Sequence, residues 1–464
     1  MFLKQIESFC NFPLTQDQEN LVKNLSNFIF HSEDCNIFIL DGYAGTGKTS
    51  IISAIIKTLP YYGLRCELIA PTGRAAKVLS NRSLQQAYTI HKKIYYTQID
   101  NYSNISLKLK ENKNHHTIYI VDEASMIGES DGLLNDLFYY VKSGVKNKVI
   151  LLGDKAQLPP IGSSESFALN PEYLKQKFLE PIAYYQLTQV VRQALESGIL
   201  KNAANIRWAL TNKLQLPIFK TKNLSDFKRI ESIDFEETLA SKYRELGEKE
   251  VVVVTRSNFA ANQLNQYIRN RILEKENIID IGEKLMSIRN NYYWKTEDEY
   301  SDFIANGDII EITNIFSYEE KFNFHFANIE AKINESQTPI ELTIMLDTLS
   351  EKQAHLSQEK ERELYEKIFA HYQKDCNNKS LIHKAVKEDK YFNSLQVKFS
   401  KAITCHKAQG GDWHTVFILN EVQASEAENH DYFRWLYTAV TRAREQIFLV
   451  NFSEEFFFEI FFQL

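Results

Sequence analysis

A complete phosphate-binding loop constrains the fold of this 464-residue chain more than any other feature. Residues 42–49 have the pattern G-x-x-x-x-G-K-[ST], between an apolar run at 37–40 and a helix-like run at 50–59. In this strand–loop–helix context the motif binds nucleoside triphosphates. The glycines allow backbone N–H groups to close on phosphate oxygens, and the following helix contributes its positive N-terminal end. The loop therefore predicts an α/β fold with a nucleotide site.

Two polar motifs supply the chemistry that such a site needs. Lys48 would reach the β- and γ-phosphates, and the Thr49 hydroxyl would hold Mg²⁺. Further along, an apolar strand at 118–121 ends in Asp122 and Glu123. Asp122 would hold Mg²⁺ through water, while Glu123 would orient and deprotonate the attacking water. The sequence thus predicts a nucleoside triphosphate and Mg²⁺ as ligands.

Three further residues are candidates for contacting the γ-phosphate. Gln157 follows an apolar run at 149–152, and open α/β sheets place their ligands at the carboxyl ends of strands. Arg192 and Arg442 lie in separate polar motifs. An arginine from a second lobe accelerates phosphoryl transfer by about 10³–10⁵. Taken alone, each arginine is more often a surface salt-bridge residue, so the assignment depends on the order of the motifs.

The composition is that of a globular protein without an overall basic character. The chain is 44% hydrophobic and 25% charged, and its length suggests about three domains. A net charge of −6 argues against a uniformly basic coat but allows a basic groove. Five scattered cysteines favour a reducing, intracellular setting, and neither a signal peptide nor a membrane span is expected. The aromatic tail at 456–462 is either a packed terminal segment or a partner-docking patch.

Short apolar runs that alternate with helical stretches indicate two α/β lobes with parallel sheets. Two stretches break this pattern. Residues 95–114 alternate polar and apolar side chains around a turn, which predicts a β-hairpin. Residues 296–391 combine alternating strands with a charged helix at 350–374, which predicts a small β-barrel-like insert. The charged helix is either a solvated helix or a surface for protein contact.

Taken in order, the motifs resemble those of superfamily 1 helicases, specifically the RecD-like/Dda-like branch. The resemblance includes Leu-Thr-x-x-Gln at 14–18, Ala-Pro-Thr-Gly-Arg at 70–74 and Thr-Cys-His-Lys-Ala-Gln-Gly at 404–410. The other matching stretches are 89–91, 122–123, 153–157, 191–193, 255–265 and 437–444. A cysteine at 405, inside one motif, is interpreted as a small buried residue rather than a reactive thiol.

The resemblance implies two RecA-like lobes with ATP between them. The residues implied to bind ATP are Gln18, which would recognise the adenine edge, and Gly42, Ala44, Gly45, Thr46, Gly47, Lys48, Thr49 and Ser50. The implied catalytic residues are Lys48, Glu123, Gln157, Arg192 and Arg442. Mg²⁺ would be held by Thr49 and Asp122. Single-stranded DNA would cross both lobes and contact Thr72, Lys77, His91, Thr255, Asn258, Thr404 and His406.

The resemblance also implies a domain order. The first lobe would span 1–180, with a hairpin insert at about 88–116 that serves as a strand-separating pin. The second lobe would comprise 181–295 and 392–464, and an SH3-like insert at 296–391 would clamp over the DNA. Tyr102, near the hairpin tip, either stacks on the last base pair or is an exposed turn tyrosine.

The implied function is that of an ATP-dependent DNA helicase that translocates 5′ to 3′ on single strands. It would act at single-strand/double-strand junctions in replication, recombination or repair, as a cytoplasmic, nucleoid-associated monomer, with proteins of those processes as partners. Two alternatives stay open. One is a translocase that strips proteins from single strands and unwinds little. The other is a DNA-binding ATPase subunit that depends on a larger complex.

Overall fold

Two parallel sheets, one small barrel and one β-hairpin contain all the named strands that the structure describes. The structure is a computed structural model, and it describes residues 2–10, 12–32, 35–99, 105–129, 132–191, 197–212, 216–295, 303–334, 336–422 and 430–457. Among these residues, no helix has the length and apolar character that crossing a bilayer requires. The predicted fold class, two RecA-like lobes with a hairpin and a barrel insert, is confirmed.

The first lobe is a six-stranded parallel sheet between two helical layers. Its elements, with the hairpin strands, are α1 (Phe2–Phe9), α2 (Gln16–His31), β1 (Ile37–Gly42), α3 (Lys48–Thr58), β2 (Arg65–Ala70), α4 (Gly73–Ser83), β3 (Ala87–Thr89), α5 (Ile90–Ile94), β4 (Tyr95–Ile99), β5 (Ile105–Leu109), β6 (Thr117–Val121), α6 (Leu133–Ser143), β7 (Lys148–Gly153), α7 (Pro171–Phe178) and β8 (Ile182–Leu187). The strand order is β3–β2–β6–β7–β1–β8, and all the pairings are parallel.

The central strand β1 shows why this sheet is apolar on both faces. All its residues are buried. Phe38 and Leu40 pack in one core with residues of α2 and α3, whereas Ile37 and Ile39 pack in the opposite core with residues of α6. Successive side chains of a strand point to opposite faces, so a continuous apolar run is the expected sequence between two helical layers.

The second lobe is a five-stranded parallel sheet whose polypeptide is interrupted by the barrel. Its elements are α8 (Gly198–Thr211), β9 (Phe227–Ile230), α9 (Ser232–Leu246), β10 (Val251–Thr255) and α10 (Asn258–Tyr267), followed after the barrel by β16 (Ala402–Thr404), α14 (Cys405–Ala408), β17 (Trp413–Leu419), α15 (His430–Val440) and β18 (Ala443–Val450). The strand order is β16–β10–β17–β18–β9. Cys405 is fully buried, and Phe456, the start of the aromatic tail, packs against Phe219 and Phe452.

The insert is a closed five-stranded barrel with helices beside it, which fits the predicted SH3-like domain. Its elements are β11 (Lys284–Ser287), β12 (Ile309–Lys321), β13 (Phe324–Ile333), β14 (Ile340–Met345), α11 (Asp347–Ser350), α12 (Gln358–Gln373), α13 (Lys379–Lys387) and β15 (Leu395–Phe399). The predicted charged helix is α12, and Leu364 and Ile368 bury its apolar side. The hairpin strands β4 and β5 pair antiparallel, with Tyr95 opposite Leu109.

The sheets move two of the predicted domain boundaries. Strand β8 pairs with β1 over its whole length, so the first lobe extends past 180 to at least Leu187. The barrel is closed by β11 and β15, so this domain spans 284–399 rather than 296–391. The short strand β8 therefore belongs to the first lobe, and the short strands β11 and β15 belong to the barrel.

The barrel contacts the first lobe at the start of α4. The Asp308 carboxylate is fully buried and lies 3.8 Å from Lys92 Nζ, and Asn334 Nδ2 donates to it at 2.7 Å. A Cβ atom added at Gly73 would lie 2.1 Å from Asp308 Oδ1. The absence of a side chain at Gly73 therefore allows the barrel and the lobe to approach closely.

Replacing Gly73 with alanine is expected to destabilise the protein. Alanine favours helices by about 1 kcal/mol over glycine, but here its methyl group would displace the Asp308 carboxylate. We expect a net loss of about 1–3 kcal/mol in the free energy of unfolding, measured by denaturant titration. Gly128→Ala is the control, because its Cβ would lie 3.7 Å from the nearest atom. A Gly73→Ala protein as stable as wild type would contradict this close approach.

Candidate functional site

The phosphate loop lies between β1 and α3, at the carboxyl edge of the first sheet. Gly45 and Gly47 have φ angles of 78° and 80°, which only glycine adopts without strain. The Lys48 ammonium group donates to the carbonyl oxygens of Gly42 and, at 3.0 Å, Gly153, at the ends of two neighbouring strands. The loop borders an open cleft of about 930 Å³. The cleft places Lys48, Thr49 and Ser50 where a bound phosphate chain would lie.

Asp122 and Glu123 line the same cleft directly after β6. Glu123 has a φ angle of 51°, in the left-handed region that non-glycine residues rarely adopt. Strained backbone of this kind is concentrated at functional sites. Burial raises the pKa of Asp122 to about 6, and the adjacent Glu123 carboxylate adds to this shift.

Arg442 extends from the second lobe to the two carboxylates. Its guanidinium group is nearly buried, and Nη1 lies 3.5 Å from Glu123 Oε1 across the cleft. The orientation is fixed locally, because Nε donates to Thr438 O at 3.0 Å and Nη2 donates to Thr441 Oγ1 at 3.1 Å. The cleft therefore brings together the predicted base from one lobe and the predicted arginine from the other.

Gln157 also lines the cleft and is 6% exposed. Within the described residues its Oε1 atom has no hydrogen-bond partner. A buried amide without a partner costs free energy unless a ligand supplies the hydrogen bond. Asp154 orders this loop: its carbonyl oxygen accepts from the Gln157 N–H at 3.1 Å, and its Oδ1 accepts from the Ala156 N–H at 3.0 Å.

Arg192 lies outside the described residues, but its immediate neighbour is placed. The Val191 N–H donates to Gly45 O at 3.0 Å, and Val191 borders the cleft. The segment that leads to Arg192 is therefore bound directly to the phosphate loop. The role of Arg192 itself stays a prediction.

Gln18 braces the phosphate loop in this structure. The residue is fully buried, its Oε1 accepts from the Thr15 N–H at 3.0 Å, and its Nε2 donates to Thr46 O at 3.0 Å. A Cβ atom at Gly47 would lie 2.6 Å from this amide nitrogen. Both ends of the amide thus bind protein backbone, and recognition of the adenine edge stays a prediction.

The predicted DNA contacts of the first lobe lie at the carboxyl ends of β2 and β3. Thr72 is the N-cap of α4, and its hydroxyl accepts from the Ala75 N–H at 3.2 Å. Thr89 ends β3 and caps α5, which carries His91. Lys77 borders a cleft of about 490 Å³ between the lobe and the barrel. These residues lie at the same edge as the nucleotide site.

The second lobe repeats this arrangement. Thr255 and Thr404 are paired in register at the ends of β10 and β16. Asn258 is the first residue of α10, and it borders one depression together with Thr404. His406 is half-buried, and burial lowers the pKa of its imidazole. A neutral histidine can stack on a base without carrying a charge.

The Thr255 side chain is directed into the protein, and the assignment of Thr255 as a DNA contact stays a prediction. Its side chain is fully buried, and its hydroxyl lies 3.1 Å from Ser257 O and 3.4 Å from Ile403 O. A hydroxyl enclosed by two carbonyl oxygens shapes the turn into α10. Tyr102 lies outside the described residues, so its role at the hairpin tip stays a prediction.

Comparisons with known proteins match both halves of the nucleotide site. An AAA domain family model matches residues 13–215, and a UvrD-like helicase C-terminal domain model matches residues 399–450. The chain is 24% identical over 440 residues to the ATP-dependent RecD2 DNA helicase of Deinococcus radiodurans, covering 94% of the chain and 48% of that protein. It is 25% identical over 470 residues to the ATP-dependent DNA helicase dda of Enterobacteria phage T4, covering 94% and 99%.

Over most of its length, the chain is similar to helicases of the RecD-like/Dda-like branch of superfamily 1. It spans less than half the length of two of the curated relatives that it matches. A solved Pif1 helicase is similar over 97% of this chain and 95% of its own, with 16% identity and a TM-score of 0.49. This similarity to ATP-dependent helicases agrees with nucleotide binding at the cleft.

Sequence reasoning missed several residues of this site. Tyr437 lies in the matched stretch at 437–444, but the sequence indicates a role only for Arg442 within it. Lys398 and Lys407 border the same depression as Asn258, and burial lowers the pKa of each to about 8. Lys407 lies inside the matched motif at 404–410, so its position was visible, whereas Lys398 lies on β15 and no local pattern marks it.

Proposed function

We propose that this protein is an ATP-dependent DNA helicase that translocates on single strands in the 5′-to-3′ direction. The observation that carries the proposal is the 3.5 Å approach of Arg442 to Glu123 across the cleft between the lobes. A nucleotide site built from two lobes couples phosphate chemistry to relative lobe movement. The similarity of the chain to RecD-like and Dda-like DNA helicases supports DNA as the track.

Each side chain of the cleft has a distinct role in hydrolysis. Lys48 binds the β- and γ-phosphates, and Gln157 contacts the γ-phosphate. Glu123 orients the attacking water and accepts its proton. Arg192 and Arg442 stabilise the negative charge that spreads over the transferring phosphoryl group.

Thr49 and Asp122 fit a magnesium ion. A hydroxyl and a carboxylate are the hard oxygen ligands that Mg²⁺ prefers, and both side chains border the cleft. Asp122 is buried beside Glu123, an arrangement that raises its pKa and that a cation would relieve. Bound Mg²⁺ would neutralise phosphate charge there.

The DNA strand crosses the carboxyl edges of both sheets. Thr72, Lys77 and His91 contact it from the first lobe, and Asn258, Thr404 and His406 contact it from the second. Hydroxyls, amides and helix N-termini hold phosphates without reading sequence. Closure of the lobes on ATP and their opening after hydrolysis would then move one set of contacts along the strand.

The hairpin and the barrel supply strand separation. The β4–β5 hairpin is the pin, and the barrel closes over the DNA strand beside α4. Tyr102, which follows β4 in the sequence, is the residue that would stack on the last base pair. The protein would act as a monomer in the cytoplasm, on nucleoid DNA, at junctions formed during replication, recombination or repair.

Strand displacement on tailed duplexes tests the proposal. We expect ATP-driven displacement of a duplex with a 5′ single-stranded tail and none of a duplex with a 3′ tail. The expected direction rests on the resemblance to the RecD-like/Dda-like branch. No residue type in the sequence specifies the polarity of translocation. The measurement is a fluorescence assay of released strand, with Lys48→Ala as the blank that lacks the phosphate-binding amine.

The other outcomes separate the alternatives. Displacement of the 3′-tailed duplex alone would overturn the polarity while leaving a helicase. No displacement of either duplex, with hydrolysis still stimulated by single strands, would favour a translocase or a subunit that needs partners. An RNA tail of the same sequence would show whether the strand contacts distinguish the 2′-hydroxyl.

A further inference from the structure

One tyrosine hydroxyl connects the two lobes at the nucleotide site. Tyr437 lies on α15 of the second lobe and is fully buried. Its hydroxyl accepts a hydrogen bond from the Ala44 N–H of the phosphate loop at 3.0 Å and donates to Asp154 Oδ2 at 2.7 Å. Both partners belong to the first lobe. The hydroxyl therefore binds two separate nucleotide-contacting segments at once.

Asp154 connects the Tyr437 hydroxyl to the turn that carries Gln157, on the side of the cleft where the γ-phosphate would lie. Asp154 shapes this turn with two acceptor atoms. Its Oδ1 accepts from the Ala156 N–H at 3.0 Å, and its backbone carbonyl oxygen accepts from the Gln157 N–H at 3.1 Å. Burial raises the pKa of Asp154, while the hydrogen bond from Tyr437 acts in the opposite direction. A buried carboxylate that loses a donor is costly, because its charge remains in a medium of low polarity.

Two neighbouring side chains of the second lobe bind the same turn. Thr438 Oγ1 accepts from the Leu158 N–H at 2.8 Å, and Gln409 Nε2 donates to Leu158 O at 2.7 Å. The turn at 154–158 thus receives three hydrogen bonds from the second lobe. Helix α15, which supplies two of them, ends at Val440, two residues before Arg442.

We propose that Tyr437 is a positioning residue that couples the phosphate loop and the Gln157 turn to the helix that leads to Arg442. The inference rests on the proposed helicase function. The hydroxyl binds Ala44 and Asp154 together in this structure, and separation of the lobes would break both bonds at once. Such a contact links the state of the γ-phosphate to lobe closure, and its loss uncouples hydrolysis from DNA binding.

The test compares Tyr437→Phe with Tyr432→Phe. Tyr432 lies on the same helix, is also buried, and donates its hydroxyl to Asn420 Oδ1 at 3.0 Å within the second lobe. Each variant therefore removes one buried hydroxyl and keeps the ring. The measurements are ATP hydrolysis with and without a single-stranded oligonucleotide, strand displaced per ATP, oligonucleotide affinity and thermal unfolding.

We expect Tyr437→Phe to lower the DNA-stimulated rate by about tenfold, as the loss of a charge-assisted hydrogen bond implies. The DNA-free rate should fall less, so the stimulation ratio should decrease, and strand displaced per ATP should fall while oligonucleotide affinity changes little. Tyr432→Phe should match wild type in stimulation. A purely structural role would move thermal stability in both variants and leave the stimulation ratio unchanged.

Equal stimulation ratios in the two variants would overturn the inference while leaving the helicase function intact. A wild-type protein without DNA-stimulated hydrolysis would overturn the helicase function, and the inference with it. If Tyr437→Phe fails to fold, Thr438→Val removes the acceptor for the Leu158 N–H at similar volume. It should reduce the stimulation ratio in the same direction, and an unchanged ratio would contradict the coupling.

Discussion

Replacing Glu123 with glutamine is expected to abolish turnover while leaving ATP and DNA binding in place. Glutamine preserves the size and hydrogen-bonding shape of the side chain but cannot accept the proton of the attacking water. General-base catalysis contributes about 10²–10⁴ in rate, so we expect kcat to fall by this factor. The measurements are steady-state hydrolysis with single-stranded DNA, and ATP affinity from binding of a fluorescent nucleotide.

Glu129→Gln is the matched control for this substitution. Glu129 is a carboxylate of the same lobe that hydrogen-bonds Tyr173 and lies 3.3 Å from Lys177. It does not border the cleft that Glu123 lines. Its substitution should leave kcat unchanged. Retained turnover in Glu123→Gln would exclude Glu123 as the base, and weaker ATP binding would point to a structural role for the Glu123–Arg442 pair.

The fold could be predicted where strands lie inside a sheet and missed where they lie at its edge. The buried strands β1, β6, β7 and β10 are continuous apolar runs, because both faces contact helices. The edge strand β8 is only partly buried and mixes tyrosine and glutamine with apolar residues, so no run marked it. Its pairing with β1 is set by tertiary contacts that local sequence does not encode.

The alternation of apolar side chains extends beyond the end of one strand. Phe322, Phe324 and Phe326 alternate as a strand would, but only the last two lie on β13. Phe322 and Asn323 have φ angles of 56° and 63° and form the tip of the β12–β13 hairpin. Phe322 turns back to contact Tyr391, at 5.8 Å between ring centroids. A phenylalanine at a hairpin tip is unusual in sequence, and its packing partner lies 69 residues away along the chain.

The sequence predicted the site residues that belong to a known motif and line the cleft. It did not predict the contacts that side chains make with residues distant in the sequence. Lys48, Asp122, Glu123, Gln157 and Arg442 line one cleft, as their motifs imply. The Thr255 hydroxyl, by contrast, is enclosed by backbone carbonyls, and no motif reveals which way a side chain points. The Tyr437 hydroxyl was missed for the same reason, since its partners lie 393 and 283 residues away along the chain.

Replacing Arg442 with alanine is expected to have the largest effect on hydrolysis. The guanidinium group lies 3.5 Å from Glu123, so it enters the cleft where the γ-phosphate would lie. An arginine supplied from a second lobe contributes about 10³–10⁵ in kcat by stabilising charge that develops in the transition state. ATP affinity should change modestly, because little of that charge exists in the bound ground state. Lysine at this position should restore little, since it lacks the planar fork.

Arg434→Ala separates this effect from the loss of an arginine that joins the lobes. Arg434 lies on α15, which ends two residues before Arg442, and its Nη1 donates to Ser164 O of the first lobe at 2.7 Å. Because it lies outside the cleft, its removal should leave kcat near the wild-type value. Arg442→Ala could instead raise the dissociation constant for ATP by the same factor by which it lowers kcat/KM. In that case the arginine stabilises the bound ground state as much as the transition state. Such a result would assign the stabilisation of the transition-state charge to Lys48 and to the predicted Arg192.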